Sequence, residues 1–386
     1  MHVEPTELKK IQLISEAIIC HIDESTLFDA TAKSTEKLAQ DLRQNFSKFN
    51  YFSHRLEEIF GPEFTKNGAF DKILKSTSGG IENKDYEHYV NCVQSNSNKT
   101  QAQQLKQLFN SIKKTTAKED LLWNMKMEML VTVARREGCA YIFIADSATR
   151  QAIKMIAMTS KGRGYSLPLD VGVDNNQSLK DLSIMRPMKD MLSKEIGFYN
   201  HFSSITQYET LPYNYSTMMP AKTSIDRLTE DFIVSIERGF PSTVSTICRT
   251  IMKLTPSANM DFTKTCAICL MPFEADIGEW RKHITVSDVL DADEPTVKTK
   301  DSCGDCANPA GGCCGSGSND SKKEPQIDMN KFFCYSCQVN LKDYSETSIE
   351  SLPPYVTESV CDQSRDGRLL SQIKDFLIED SEDDEN

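Results

Sequence analysis

Two Cys-x-x-Cys pairs constrain this chain more than anything else in it: Cys266 and Cys269 in TCAIC, and Cys334 and Cys337 in FCYSC. Four thiolates, two from each tight turn, complete the tetrahedral shell of a closed structural zinc site. Apolar neighbours can bury each pair, Ile268 and Leu270 for the first, Phe332, Phe333 and Val339 for the second. The long separation costs little, because loop-closure entropy grows only with the logarithm of length. A RING module, toward which TCAICLMPF points at first, needs eight ligands in cross-braced order. The next candidates after Cys269 are Cys303 and Cys306, and His283 is the segment's only histidine, so ligand order excludes that module. Cys303, Cys306, Cys313 and Cys314 lie in CGDCANPAGGCCG and are either a second metal set or free thiols of a flexible linker.

Eight of the thirteen cysteines fall between residues 266 and 337, and MHVEPTELKK lacks the basic flank and apolar run of a secretory signal. The cysteines therefore read as metal ligands rather than a disulfide framework. No apolar run reaches the roughly 18 residues of a membrane span, and the expectation is a cytoplasmic protein. Cys20, Cys92, Cys139, Cys248 and Cys361 are scattered and read as packing residues. The net charge of -12 argues against a nucleic-acid partner, since phosphates want a basic surface. Seven of those charges, however, belong to the acids between Asp375 and Glu385, and residues 113 to 163 carry ten Lys or Arg against five Asp or Glu. A basic face inside an acidic chain fits RNA, and Lys113, Lys114, Arg135, Arg136, Lys161 and Arg163 are its candidate phosphate contacts.

Periodicity predicts an α/β fold. ISEAIICHID (14 to 23) ends as a strand, Leu38, Leu42 and Phe46 mark a helix, and Phe49 to His54 is a second strand: the unit of a parallel sheet. Residues 72 to 110 form a polar insert with helical patches, in which Ser78, Gly79 and Gly80 read as a turn, since no buried strand precedes them as a phosphate loop requires. Thr116 and Glu119 predict a capping box, Leu121, Leu122, Met125, Met129 and Val133 a buried helical stripe, and Gly138 a left-handed stop. CAYIFIA (139 to 145) reads as a buried parallel strand, followed by a helix from DSATRQAIKM. This puts Asp146 and Arg150 at a strand's carboxyl end, where open α/β sheets collect ligands, although Asp146 or Ser147 reads more simply as a helix cap. A strand at SIMRP with a helix after it, and helices at 224 to 237 and 242 to 254, complete a first partial half (1 to 71) and a second half (111 to 256). A cysteine-rich segment (257 to 345, insert 285 to 330) and a tail with an acidic end (346 to 386) follow.

With these residues in view, the chain resembles the cytoplasmic tRNA 2-thiolation protein 2 family. The matching stretches are TTAKEDLL (115 to 122), ADSATRQAIKM (145 to 155), GRG (162 to 164), RPMKD (186 to 190), FYN (198 to 200), GFPSTVSTICRT (239 to 250), FCYSCQVNLKD (333 to 343), LPPY (352 to 355) and FLIEDSEDDE (376 to 385). The resemblance implies a PP-loop ATPase-like parallel sheet with a zinc-ribbon-like segment. It also implies a non-catalytic subunit that pairs with a catalytic, ATP-using PP-loop partner and receives sulfur from a thiocarboxylated ubiquitin-like carrier. Together they 2-thiolate the wobble uridine of tRNA Lys, Glu and Gln. Arg150 and Arg186, at motif positions, join the candidate RNA contacts. Relatives begin with a Cys-x-x-Cys segment and the sheet's first, central strand, which this chain lacks, so an amino-terminally shortened product with unpaired neighbouring strands is expected. Active members of the wider family carry an Asp-rich turn where this chain has Asp146, Ser147, Thr149 and Arg150, so no catalytic residue is assigned. Two other functions fit the same features: an ATP-dependent sulfurtransferase using Asp146 and a cysteine, and a zinc-stabilised interaction scaffold without RNA contact.

Overall fold

A computed structural model describes residues 16–28, 32–64, 98–172, 174–175, 179, 181–208, 214–216, 219–258, 260–274, 331–342 and 351–373. Ser78, Gly79 and Gly80, the cysteines between 303 and 314, Cys92 and the acidic end lie outside the described residues.

β1 (Ile18–Asp23), α1 (Ala32–Asn45) and β2 (Asn50–Arg55) are the expected strand, helix and strand. The two strands are parallel, in register from Ile18 opposite Asn50 to Asp23 opposite Arg55. α2 (Gln101–Ser111) falls in the stretch read as a polar insert. Its cap is written in TQAQ: the Thr100 hydroxyl accepts from the Gln103 N–H, while Gln103 Oε1 accepts from the Thr100 N–H. Leu105, Leu108 and Phe109 bury its apolar stripe.

α3 (Thr115–Arg136) is the spine of the fold. Leu121, Leu122, Met125, Met129 and Val133 are buried along it as the 3.6-residue spacing requires. It packs against both β1 and β3 (Tyr141–Phe143). Gly138 ends it at φ +67°, a left-handed conformation that costs glycine no Cβ clash. The start corrects the expectation: the helix opens at Thr115 after Lys114, with no side-chain cap. Thr116 and Glu119 instead face outward from the helix to hold another segment. The Thr116 hydroxyl accepts from the Ile225 N–H at 3.2 Å, and buried Glu119 accepts from the Ser216 hydroxyl. A capping pattern and a pair of tertiary hydrogen bonds draw on the same oxygens, and here the tertiary partners won.

The second sheet has the order β3-β5-β4. β3 runs parallel to β5 (Ser183–Met185), and β4 (Asp174–Asn175) runs antiparallel to β5. β3 is shorter and less buried than CAYIFIA implied: Ile142 is covered, while Tyr141 and Phe143 are 56% and 48% exposed. Among the described residues β3 is an edge strand with β5 as its one partner, so its side chains alternate between core and outside. β1 likewise pairs only with β2, and these five strands form two small sheets. This is a mixed α/β architecture.

α4 (Ala148–Ser160) packs on α7 (Ile225–Gly239) and α8 (Thr243–Ile251), with Ala148, Ala152, Ile153, Ile233 and Val244 at their centre. α5 (Leu167–Val171) closes a second cluster of Met158, Leu167, Val171 and Ile251, and α6 (Ser193–Phe202) follows β5. The cysteine turns are joined by α9 (Tyr335–Leu341) and α10 (Pro354–Ile373). α10 occupies part of what reads from sequence as tail; Tyr355, Val356, Val360 and Cys361 are buried on it. No helix among the described residues is long and apolar enough to cross a membrane.

Candidate metal centre and the buried charge chain beside it

The first cysteine turn is a tight reversal. Thr265 and Pro272 bridge antiparallel, the Cys266 N–H donates to Met271 O at 2.9 Å, and the Leu270 N–H donates to Cys266 O at 2.8 Å. Leu270 takes φ +59° to close it, a left-handed conformation uncommon outside glycine. The second turn puts Cys334 immediately before α9 and Cys337 in its first turn. The Ala267 N–H donates to Phe332 O at 3.0 Å and ties the two turns together.

Each turn is also bolted to the body. Tyr355 Oη donates to Ile268 O (3.0 Å) and Gln363 Nε2 to Thr265 O (2.9 Å), fixing the first turn to α10. Asn340 Nδ2 donates to Asp120 Oδ2 on α3 (2.8 Å), and Asp120 Oδ1 accepts from Lys161 Nζ (2.6 Å) at the end of α4.

These anchors bring the sulfurs of Cys266, Cys269, Cys334 and Cys337 within 4.8 Å of one another, with Cys269 and Cys334 at 3.8 Å. Hydrogen bonds from Cys266, Cys334 and Cys337 hold the Cys269 thiol well below the ordinary range, with Arg163 helping. The bonds to Cys266 and Cys269 push Cys334 and Cys337 well above it. Four sulfurs this close together are a candidate metal ligand set, which a metal would take as thiolates rather than thiols.

A chain of buried charge runs from the sulfurs toward β3. Arg163 is 6% exposed and donates through Nε and NH2 to the Asp170 carboxylate at 3.2 and 3.3 Å. Ser166 Oγ donates to the same carboxylate at 2.8 Å. Arg186, 4% exposed, reaches back with NH2 to Asp170 O (2.7 Å) and with NH1 to Gly172 O, and its Nε donates to Asp146 Oδ2 at 3.3 Å. Lys154 Nζ donates to that oxygen at 2.6 Å and lies 3.9 Å from the centroid of the Trp123 ring.

The shifts along this chain are uneven for a reason. Burial works to raise Asp146, but Lys154 and Arg186 outweigh it and hold the carboxyl below its usual range. Burial pulls Lys154 down from 10.5 to about 8, because it has one anion for support and shares it with Arg186. Burial opposes the charge of Arg163 too, yet Asp170 and the sulfurs of Cys269, Cys334 and Cys337 drive it well above its ordinary value. Asp170, by contrast, is raised by burial and by Cys269, so of that pair the cation is the firmly charged member.

The candidate contacts chosen from sequence thus separate. Arg163 and Arg186 are committed inside, so neither presents its guanidinium to a phosphate; Lys161, its side chain 6% exposed, is held by Asp120 and Asp226. Arg135 is exposed but grips Asp181 bidentately at 2.8 and 3.0 Å. Arg136, which meets His54, Glu63 and Glu137, and Arg150 stay at the surface with Lys113 and Lys114. Ser147, not Asp146, caps α4: its Oγ accepts from the Arg150 N–H at 3.2 Å. Sequence reasoning passed over Lys154 and Asp170. The first sits eight residues from Asp146 in a quoted motif, but nothing in the pattern around Asp170 marks it.

The family model of cytoplasmic tRNA 2-thiolation protein 2 matches residues 224–339. Curated relatives of that description include one from Bos taurus, 31% identical over 85% of this chain and 66% of its own length. Another, from Homo sapiens, is 34% identical over 74% of this chain and 56% of its own. The chain therefore spans between about half and two thirds of the relatives it matches. Among solved structures it is similar to the U34-tRNA thiolase NcsA from Methanococcus maripaludis with its [4Fe-4S] cluster, at 13% identity over 66% of this chain and 70% of that one. The TM-score is 0.38, too distant a superposition to define a shared fold.

The Lys154 shift carries a pH signature. Below about pH 8 both folded and unfolded chains hold the proton; between about 8 and 10.5 only the unfolded chain does, so stability rises with pH across that window. Relative to Lys154→Met, the wild type should gain on the order of 2 kcal/mol between about pH 7.5 and 9.5 in urea unfolding; parallel curves for the two proteins would refute the assignment.

Proposed function

The chain belongs to the cytoplasmic tRNA 2-thiolation protein 2 family, and from that premise we propose that it is a zinc-stabilised, non-catalytic subunit of the machinery that 2-thiolates the wobble uridine of tRNA Lys, Glu and Gln. In this reading it works in the cytoplasm, pairs with a catalytic PP-loop subunit that handles ATP, and helps position tRNA while a ubiquitin-like carrier delivers sulfur. The family relationship carries the proposal. The state of Asp146 supports the non-catalytic part: its carboxylate is buried, and Lys154 and Arg186 both hold its Oδ2 in a structural ion pair. The α/β body supports a PP-loop-like fold without defining one.

Zinc is the metal the sulfurs favour. A Zn–S length of about 2.3 Å puts tetrahedral sulfurs roughly 3.8 Å apart, and the Cys269 and Cys334 sulfurs lie at 3.8 Å. A cubane cluster sets its four cysteines on four separate irons and spreads them wider than one ion does. Phosphate contact falls to the exposed Arg136, Arg150, Lys113 and Lys114. The runner-up, a scaffold without RNA contact, draws on the same clip.

Purified protein should carry one zinc per chain, measured by inductively coupled plasma mass spectrometry, and lose it on Cys266→Ser. A content of zero would sink the site, and two would implicate the cysteines between 303 and 314. In cells lacking the endogenous protein, this chain with the catalytic subunit should restore 2-thiouridine to tRNA Lys, Glu and Gln. Reversing the charge of Arg136 and Arg150 should weaken tRNA binding by the complex and lower its salt slope by about one for each phosphate no longer neutralised. Unchanged affinity would favour the scaffold.

A further inference from the structure

The GRG turn that ends α4 lies directly against the second cysteine turn. Gly162 has φ +77°, and a Cβ built there would stand 2.5 and 2.6 Å from Cδ1 and Cε1 of Tyr335. Tyr335 stands between Cys334 and Cys337, so the turn meets the ring of a residue that separates two candidate ligands. The next residue, Arg163, is buried at this contact, and two of its five N–H donors go to Asp170. Those bonds, at 3.2 and 3.3 Å, are long for an arginine and a carboxylate, which normally approach to about 2.7–2.9 Å. Asp170 therefore does not saturate the guanidinium, and the Gly162–Tyr335 contact sets Arg163 beside the turn that carries Cys334 and Cys337.

A divalent ion in four thiolates keeps a net charge of about -2, and a buried dianion is costly without a cation beside it. We infer that Arg163 is the positioning residue of the metal centre: its guanidinium offsets the surplus charge of the tetrathiolate shell and, through Asp170 and the Gly162 contact, fixes the shell to the corner between α4 and α5. This rests on the metal reading above. It separates two roles that packing alone would merge, because Arg163 adds a cation to the shell while Asp170 adds an anion. Removing one should weaken metal binding, and removing the other should not.

The test uses the full chain and Co(II), whose sulfur-to-metal charge-transfer band reports thiolate donation, with affinity read by competition against a chelator. Arg163→Met should bind Co(II) about 10- to 100-fold more weakly, the usual loss for a group supporting a metal's ligands. Its charge-transfer band should move to lower energy, since the sulfurs lose a stabilising positive charge. Arg163→Lys should recover most of the affinity, and Asp170→Asn should bind as tightly as wild type or more tightly. Arg163→Met matching wild type in affinity and band position would overturn the inference, as would equal weakening by Arg163→Met and Asp170→Asn, which marks packing alone. Should Arg163→Met fail to fold, Arg163→Lys and Asp170→Asn still decide: a weakened Asp170→Asn overturns the inference, and one at or above wild type with Arg163→Lys close to it upholds it. A wild type that takes up no Co(II) would overturn the metal reading instead.

Discussion

Buried charge has to be matched where it sits, and in this protein the matching runs as one line. The cysteine turn at one end abuts the GRG turn beside Arg163, Arg163 holds the Asp170 carboxylate, Arg186 spans from the Asp170 carbonyl to Asp146, and Lys154 joins Asp146 to the Trp123 ring. Signs alternate along it, so each group lowers the desolvation cost of its neighbours. Breaking such a line by deleting one member leaves an uncompensated buried charge, typically worth about 3–5 kcal/mol. The polar interior is therefore conditional: it favours the fold only while every member is present.

That line also explains why the cysteine clip is not an appendage. Its first turn hangs from α10 through Tyr355 and Gln363, and its second is set against α3 through Asn340 and against the end of α4 through Gly162. The clip thus draws together helices that lie far apart in sequence, Asn340 and Asp120 being separated by 220 residues. A metal there would close a cross-link among α3, α4 and α10, and the thiolates binding it would supply negative charge beside Arg163. Structural and electrostatic roles coincide in the same four sulfurs.

Most of the fold was legible wherever one periodicity dominated. The β1–α1–β2 unit, the stripe of α3, and α7 and α8 all follow from apolar spacing, and Gly138 from the need for positive φ. The clustering of Cys266, Cys269, Cys334 and Cys337 was legible because two Cys-x-x-Cys turns admit little else. What was not legible depended on long-range partners. Thr116 and Glu119 form a convincing local cap pattern, yet Ile225 and Ser216, about a hundred residues on, take their oxygens. Arg163 reads as a surface cation in a basic stretch and Arg186 as a contact at a motif position, because burial is invisible to charge counting and to motif matching alike. Asp170, whose carboxylate meets Arg163 and whose carbonyl meets Arg186, has no local signature at all. α10 was hidden by reading its stretch together with the acidic end, although Tyr355, Val356 and Val360 carry a buried face.

If the clip and the charge line are one unit, removing the metal should loosen helices far from the cysteines. Hydrogen exchange of the purified chain, with and without a zinc chelator, measures this directly. Protection should fall together in α9, α10, the GRG turn and the α4–α5 corner. Loss confined to residues 264–273 and 331–342, with α4 and α10 unchanged, would contradict the account.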